Sequence, residues 1–196
     1  MNHLGTQELR TKHLLLRRFT PEDAEEMFHH WAKDERVTRF LTWTPHASPE
    51  ATKKVLSAWE KEYESLNYYQ WGIVWEDKLI GAVSAVRVQE QSEWIELGYC
   101  LGTEYWNRGI MTEAVKAVIA FFFDSVGANR ICIEHAVQNP ASGQVAEKCG
   151  MTFEGTKREY FKGANGEFLD VSFWSILKRD WTPVTKERTV RASDGP

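Results

Sequence analysis

Trp94-Ile95-Glu96-Leu97-Gly98-Tyr99-Cys100-Leu101-Gly102-Thr103-Glu104-Tyr105-Trp106-Asn107-Arg108-Gly109-Ile110-Met111-Thr112-Glu113-Ala114 is the stretch on which the fold turns. It reads as a strand, then a short loop with glycine at its hinge, then the start of a long helix. The first N–H groups of a helix have no intrahelical acceptor and stand at the positive end of its dipole, so this junction is a natural anion site. Gly109 would let a phosphate approach the main chain, and Arg108 adds a mobile charge. Taken alone, Gly109 fits an ordinary helix entry equally well, because one glycine loop before a helix is a weak motif.

Working outward, residues 69–75 and 78–88, joined by Glu76-Asp77, precede residues 93–101 as β-branched and aromatic runs, which predicts an antiparallel meander. The helix from Gly109 to about Ser125 carries Ala114, Val115, Val118, Ile119 and Phe122, and Gly127 is placed as its left-handed cap. Residues 130–137 alternate as a strand, 141–149 form a short helix closed by Gly150, and 151–161 with 167–177 flank the turn Gly163-Ala164-Asn165-Gly166 as a hairpin. Toward the N-terminus, residues 12–18 form a strand. Thr20-Pro21-Glu22-Asp23 opens a helix with Ala24, Met27, Phe28 and Trp31 on one face, and Ser48-Pro49-Glu50 opens another with Val55, Trp59, Tyr63 and Leu66. The expected order is βααβββαβαββ, a single α/β domain over residues 7–181. The segment 182–196 has no apolar period and reads as a disordered tail.

The 196 residues suffice for one domain with a sizeable core. A hydrophobic fraction of 42%, with nine Trp, ten Phe and six Tyr, excludes a disordered or low-complexity chain. The net charge of −4 gives no basic field for a nucleic-acid backbone, so direct nucleic-acid binding is not expected and an anionic ligand must be held locally. Residues 1–10 are polar and the longest apolar run, residues 117–123, is seven residues, so neither a secretory signal nor a membrane span is expected. Cys100, Cys132 and Cys149 form no CxxC pair and suggest packing residues in a reducing cytoplasm. His29 and His30 are adjacent and cannot form the i, i+4 pair of a metal site, so no metal is expected.

A second segment, Asn139-Pro140-Ala141-Ser142-Gly143-Gln144-Val145-Ala146-Glu147-Lys148-Cys149-Gly150-Met151, agrees with the first in order and spacing. Together with Leu14-Leu15-Leu16-Arg17-Arg18, Pro21-Glu22-Asp23-Ala24, Glu96-Leu97-Gly98-Tyr99 and Gly109-Ile110-Met111-Thr112-Glu113-Ala114, it resembles the Gcn5-related N-acetyltransferases (GNAT), specifically the ribosomal-protein N-terminal branch (RimJ/RimL-like). The resemblance covers about residues 11–181. It implies a mixed, mostly antiparallel sheet splayed into a V between the strand ending at Leu101 and the strand starting at Arg130, with acetyl-CoA as co-substrate in the V. By the same resemblance the pantetheine arm pairs with the backbone of Tyr99, Cys100 and Leu101. The pyrophosphate lies on Trp106, Asn107, Arg108, Gly109, Ile110, Met111 and Thr112, Asn139 bonds the arm, and Ser142 lies near the sulfur. Lys148 could meet a CoA phosphate or simply favour its helix C-terminus. The chain departs from the general family pattern at Trp106, where a polar side chain is usual, and at Met111, which matches the ribosomal branch.

The chemistry sets its own requirements. An amine attacks a thioester only when neutral, and an α-amine of pKa about 7.7 to 8.0 is roughly a tenth neutral at pH 7. A lysine amine lies about 3.4 units from neutrality, on the order of 4.6 kcal/mol, and needs stronger help. Glu96, a carboxylate inside an otherwise apolar strand on the face of Gly98 and Cys100, is the candidate base, directly or through water; a structural partner is the alternative. Ser142 is the candidate donor to the departing thiolate, or it caps its helix. His135 reads as a satisfied core or substrate-side group more readily than as a base.

The resemblance implies an acetyl-CoA-dependent N-acetyltransferase working by direct attack in a ternary complex, with a protein N-terminal amine, as on a ribosomal protein, as the expected acceptor. The alternatives are a small-molecule amine acceptor (polyamine, amino acid or antibiotic) and a non-catalytic acyl-CoA-binding domain. A dinucleotide enzyme is disfavoured because GxGxxG is absent. The oligomeric state is open between monomer and homodimer. The early helices, the loop 42–46 containing Trp43, and the final hairpin are expected to build the acceptor pocket.

Overall fold

The computed structural model describes residues 1–163 and 166–182. The central residues of the expected hairpin turn, Ala164 and Asn165, and the expected tail from Pro183 onward lie outside the described residues. Eight strands form one open sheet in the order β1-β2-β3-β4-β5-β6-β8-β7. They are β1 (Leu9–Arg10), β2 (Leu14–Arg17), β3 (Gln70–Trp75), β4 (Lys78–Gln89), β5 (Trp94–Leu101), β6 (Arg130–Ala136), β7 (Thr152–Lys162) and β8 (Phe168–Leu177). Every neighbouring pair is antiparallel except β5 with β6, which is parallel.

The helices start where the sequence places their caps. Thr20 N–H donates to Asp23 Oδ2 at 2.8 Å, and the same carboxylate receives both terminal nitrogens of Arg17, tying the end of β2 to the helical run that follows. That run is a 3-10 turn (Pro21–Asp23), α1 (Ala24–Met27) and a wide π turn (Phe28–Ala32). In α3 (Pro49–Glu62) the Ser48 hydroxyl accepts from Ala51 N–H and Pro49 occupies the first turn. Gly127, at φ +81°, ends the helical run that begins with α4 (Ile110–Phe121) in the left-handed conformation that favours glycine.

Two additions correct the expected order. A short hairpin strand, β1, pairs Leu9 with Leu16 of β2, and a one-turn helix, α2 (Glu35–Thr38), follows the π turn. The Asp34 side chain caps α2 by accepting from Arg36 N–H.

Both faces of the sheet are covered. Helices α4 and α5 (Pro140–Lys148) pack on the face that carries Leu97, Ile131 and Ile133, in a core that also takes Trp71. On the other face Phe19, Met27, Trp31 and Leu56 from the early segments meet Leu79 and Ala82 of β4, with Cys100 against them. Met1 and Leu4, ahead of the expected boundary at Gln7, also pack against the larger core. No helix among the described residues is long and apolar enough to cross a membrane.

Candidate active site

Parallel strands β5 and β6 share register only from Trp94↔Arg130 to Leu97↔Ile133. β5 continues to Leu101 and β6 to Ala136, so beyond these pairs the two strands part. A cavity of 590 Å³ opens in the split. Its wall includes Tyr99, Cys100 and Leu101 from β5, Trp106 through Thr112 from the loop and first turn of α4, and Asn139, Ser142 and Lys148 from the start and end of α5. Every residue expected along the acetyl-CoA path therefore borders one space.

The loop end of this space is built from backbone. Gly109 has φ +78°, and nothing lies within 4 Å of where a Cβ would stand, so the main chain is open to a close approach. Asn107 also sits at positive φ. Arg108 lies over the rings of Trp75 and Tyr105, at 5.6 and 5.9 Å from their centroids. The one side-chain donor of Trp106 is taken within the protein. Its indole Nε1–H donates to Leu101 O at 2.8 Å, folding the loop back onto the end of β5.

At the apex of the split, the Tyr99 hydroxyl lies 2.8 Å from Ser142 Oγ and 3.1 Å from Ser142 O. Either hydroxyl can donate to the other, whereas the carbonyl only accepts; with the Tyr99 proton on the carbonyl, Ser142 Oγ–H donates to the Tyr99 oxygen. Ser142 is thus a partner of β5, and it does not cap α5. Burial pushes the Tyr99 phenol above its ordinary value, which keeps it protonated. Sequence reasoning had used only the Tyr99 backbone; alternation along β5, which places Tyr99 on the face opposite Glu96, was the signal for its side chain.

His135 is a neutral group on the cavity wall. Its Nδ1 faces Ala136 O at 2.8 Å and its Nε2 accepts from the Trp174 indole at 3.1 Å, so both nitrogens are used. A Cβ on Gly143 would stand 2.9 Å from His135 Nε2, and this close approach seats α5 against β6. Burial lowers the His135 pKa. The thiols of Cys100, Cys132 and Cys149 are each pushed up to about 12 by burial, which leaves them protonated and unreactive.

Glu96 lies on the opposite face of β5, in register with Cys132 and outside the cavity wall. Its Oε2 is buried without a hydrogen bond, 3.4 Å from the Arg87 guanidinium. Burial first, and the Glu134 charge second, raise its pKa, while Arg87 lowers it. Glu134 does line the cavity. It was missed in the sequence although the same signal marks it, a carboxylate within the apolar run of β6. Burial raises its pKa also, against Arg87 and Lys157. Arg36, Val37, Phe40 and Leu41 also line the cavity. Trp43 packs instead against the smaller core, with its ring 5.2 Å from that of His46.

An open mixed sheet split between two parallel strands, with a glycine loop feeding a helix at the split, defines a class of group-transfer enzymes. Residues 13–152 match the family described as Acetyltransferase (GNAT) domain. The chain is 30% identical to the uncharacterized N-acetyltransferase YoaA of Bacillus subtilis over 172 residues, 87% of this chain and 96% of that protein. It is 34% identical to the ribosomal-protein-serine acetyltransferase of Escherichia coli over 102 residues, 52% of this chain and 56% of that protein. The solved structure of RimL, a ribosomal alpha-N-protein acetyltransferase in complex with coenzyme A, has the same fold, with a TM-score of 0.79 at 20% identity over 87% of this chain and 98% of that one. The chain belongs to the GNAT family and is an acetyltransferase.

Proposed function

We propose that the protein transfers the acetyl group of acetyl-CoA to the α-amine of a protein N-terminus, of the ribosomal-protein type, by direct attack in a ternary complex. The observation that carries this reading is the cavity in the split of the sheet. It has an open main chain at Gly109 before α4, a paired hydroxyl site at Ser142 and Tyr99, and the Glu134 carboxylate in its wall. The ribosomal relatives support the acceptor class.

In this reading the neutral amine nitrogen attacks the thioester carbonyl, the C–S bond breaks as the tetrahedral intermediate collapses, and the amine proton leaves through water toward Glu96. Ser142 Oγ–H turns from the Tyr99 oxygen to the sulfur as negative charge develops there, and the Tyr99 proton turns to Ser142 Oγ. Because an α-amine is already partly neutral, a carboxylate of raised pKa is base enough.

The test is a thiol-release assay with acetyl-CoA and a panel of peptides beginning Ser, Ala or Met, free polyamines and aminoglycosides. Turnover of peptides above the small amines is expected. Turnover of small amines alone would replace the acceptor class, and CoA binding with no turnover across the panel would replace catalysis with acyl-CoA binding.

A further inference from the structure

We infer that Glu134 is the residue that recognises the acceptor, binding its amine as the ammonium ion where the cavity reaches the face of the sheet opposite α4 and α5. The inference rests on the acetyltransferase reading above and assigns a specificity residue to it.

The two sides of the cavity carry opposite charge. Lys148 lies in the last turn of α5 and Arg108 stands over Trp75, both on the face covered by α4 and α5, where phosphates would lie. Glu134 alternates with Ile133, which is buried in that core, so it points to the other face. Among the described residues lining the cavity it is the one carboxylate. Arg36, also on the cavity wall, is held by Asp34 through two of its nitrogens, and the two cations whose charge acts on Glu134, Arg87 and Lys157, each have another partner.

A carboxylate there is suited to an ammonium ion. Register sets Arg87 across from Glu96 on the neighbouring strand, so the guanidinium is committed to the deeper carboxylate at 3.4 Å. The Lys157 ammonium lies 4.1 and 4.5 Å from the ring centroids of Phe173 and Tyr160. Val37, Phe40 and Leu41 give the same cavity an apolar stretch of wall. A primary ammonium on a small or apolar residue satisfies both features: the charge meets Glu134 and the side chain meets that wall. Glu134 touches the acceptor first, and Glu96, one register step deeper, stands where a proton can go.

The experiment compares wild type, Glu134→Gln and Glu134→Asp with two cationic acceptors, a tetrapeptide beginning Ser and spermidine. An uncharged acceptor is added, the same peptide with a hydrazide nitrogen in place of its α-amine. For Glu134→Gln the KM of whichever cationic acceptor wild type uses is expected to rise about 10-fold or more, with the KM of acetyl-CoA and the KM of the hydrazide unchanged. Glu134→Asp should recover part of the loss. An equal loss with the hydrazide, or a raised KM for acetyl-CoA, would assign Glu134 a structural role and overturn the inference, as would an unchanged acceptor KM. Failure of wild type with every amine would remove the acetyltransferase reading itself, and the inference with it.

Discussion

The hydroxyl pair at the cavity apex makes separable demands on its two members. Ser142→Ala removes the group next to the expected sulfur, and kcat should fall about 10- to 100-fold with acetyl-CoA affinity little changed. Tyr99→Phe leaves Ser142 in place but takes away the oxygen that receives its proton, a net hydrogen bond of about 1 kcal/mol. Its effect on kcat should be smaller, and the double variant should be no worse than Ser142→Ala; additive losses would separate the two roles. Glu96 carries a prediction about stability. Its folded pKa lies above the ordinary carboxylate value because it is buried and faces Glu134. At low pH both folded and unfolded chains hold the proton and nothing is lost. As pH rises, the unfolded carboxyl ionises first, and the fold loses stability as pH climbs through the raised value. Glu96→Gln should therefore raise the urea midpoint at pH 8 and leave it unchanged near pH 4. Loss of the contact with the exposed Arg87 guanidinium offsets little of this gain.

The loop between β5 and α4 is an element whose shape depends on one side chain. Trp106 lies in a polar-donor position of the family pattern, yet its indole fastens the loop to Leu101 O. Trp106→Phe keeps the ring and removes the bond. The loop should loosen, raising the KM for acetyl-CoA several-fold at nearly constant kcat, and any change in tryptophan emission on CoA binding should diminish. This loop was legible in the sequence because strand, loop and helix are contiguous there. β1 and α2 were not. A two-residue strand is too short to show alternation, and four helical residues span barely one turn. Both depend on partners distant in sequence, β1 through β2 and α4, and α2 through Thr103, which receives an Arg36 hydrogen bond at 3.0 Å. The part of the cavity lined by Glu134 was hidden for the same reason. Glu134 and the residues around α2 come to line one cavity only once β6 is seated beside β5.

At the scale of the whole molecule, the chain ahead of the first strand is part of the fold. Thr6 is buried, its hydroxyl donating to Tyr68 O at 3.0 Å and accepting from Gln70 N–H at 3.0 Å, and Gly5 N–H bonds Leu66 O. Leu4 packs on the core beside them. Removing residues 1–6 should cost on the order of 2–4 kcal/mol, read as a lower urea midpoint, and should leave the KM for both substrates unaffected in the protein that remains folded. The ends of the sheet hold a further consequence. One border, β1, is two residues long. The other, β7, is long and exposed, but register shifts interrupt it at Phe153/Gly155 and Lys157/Phe161, Glu159 sits at positive φ, and Lys157, Arg158 and Lys162 line it. Neither border offers a straight run of free amides and carbonyls to an incoming strand. An open eight-stranded sheet with exposed Phe153 and Phe168 near that border is thereby guarded against fibril growth, by irregularity at one margin and brevity at the other.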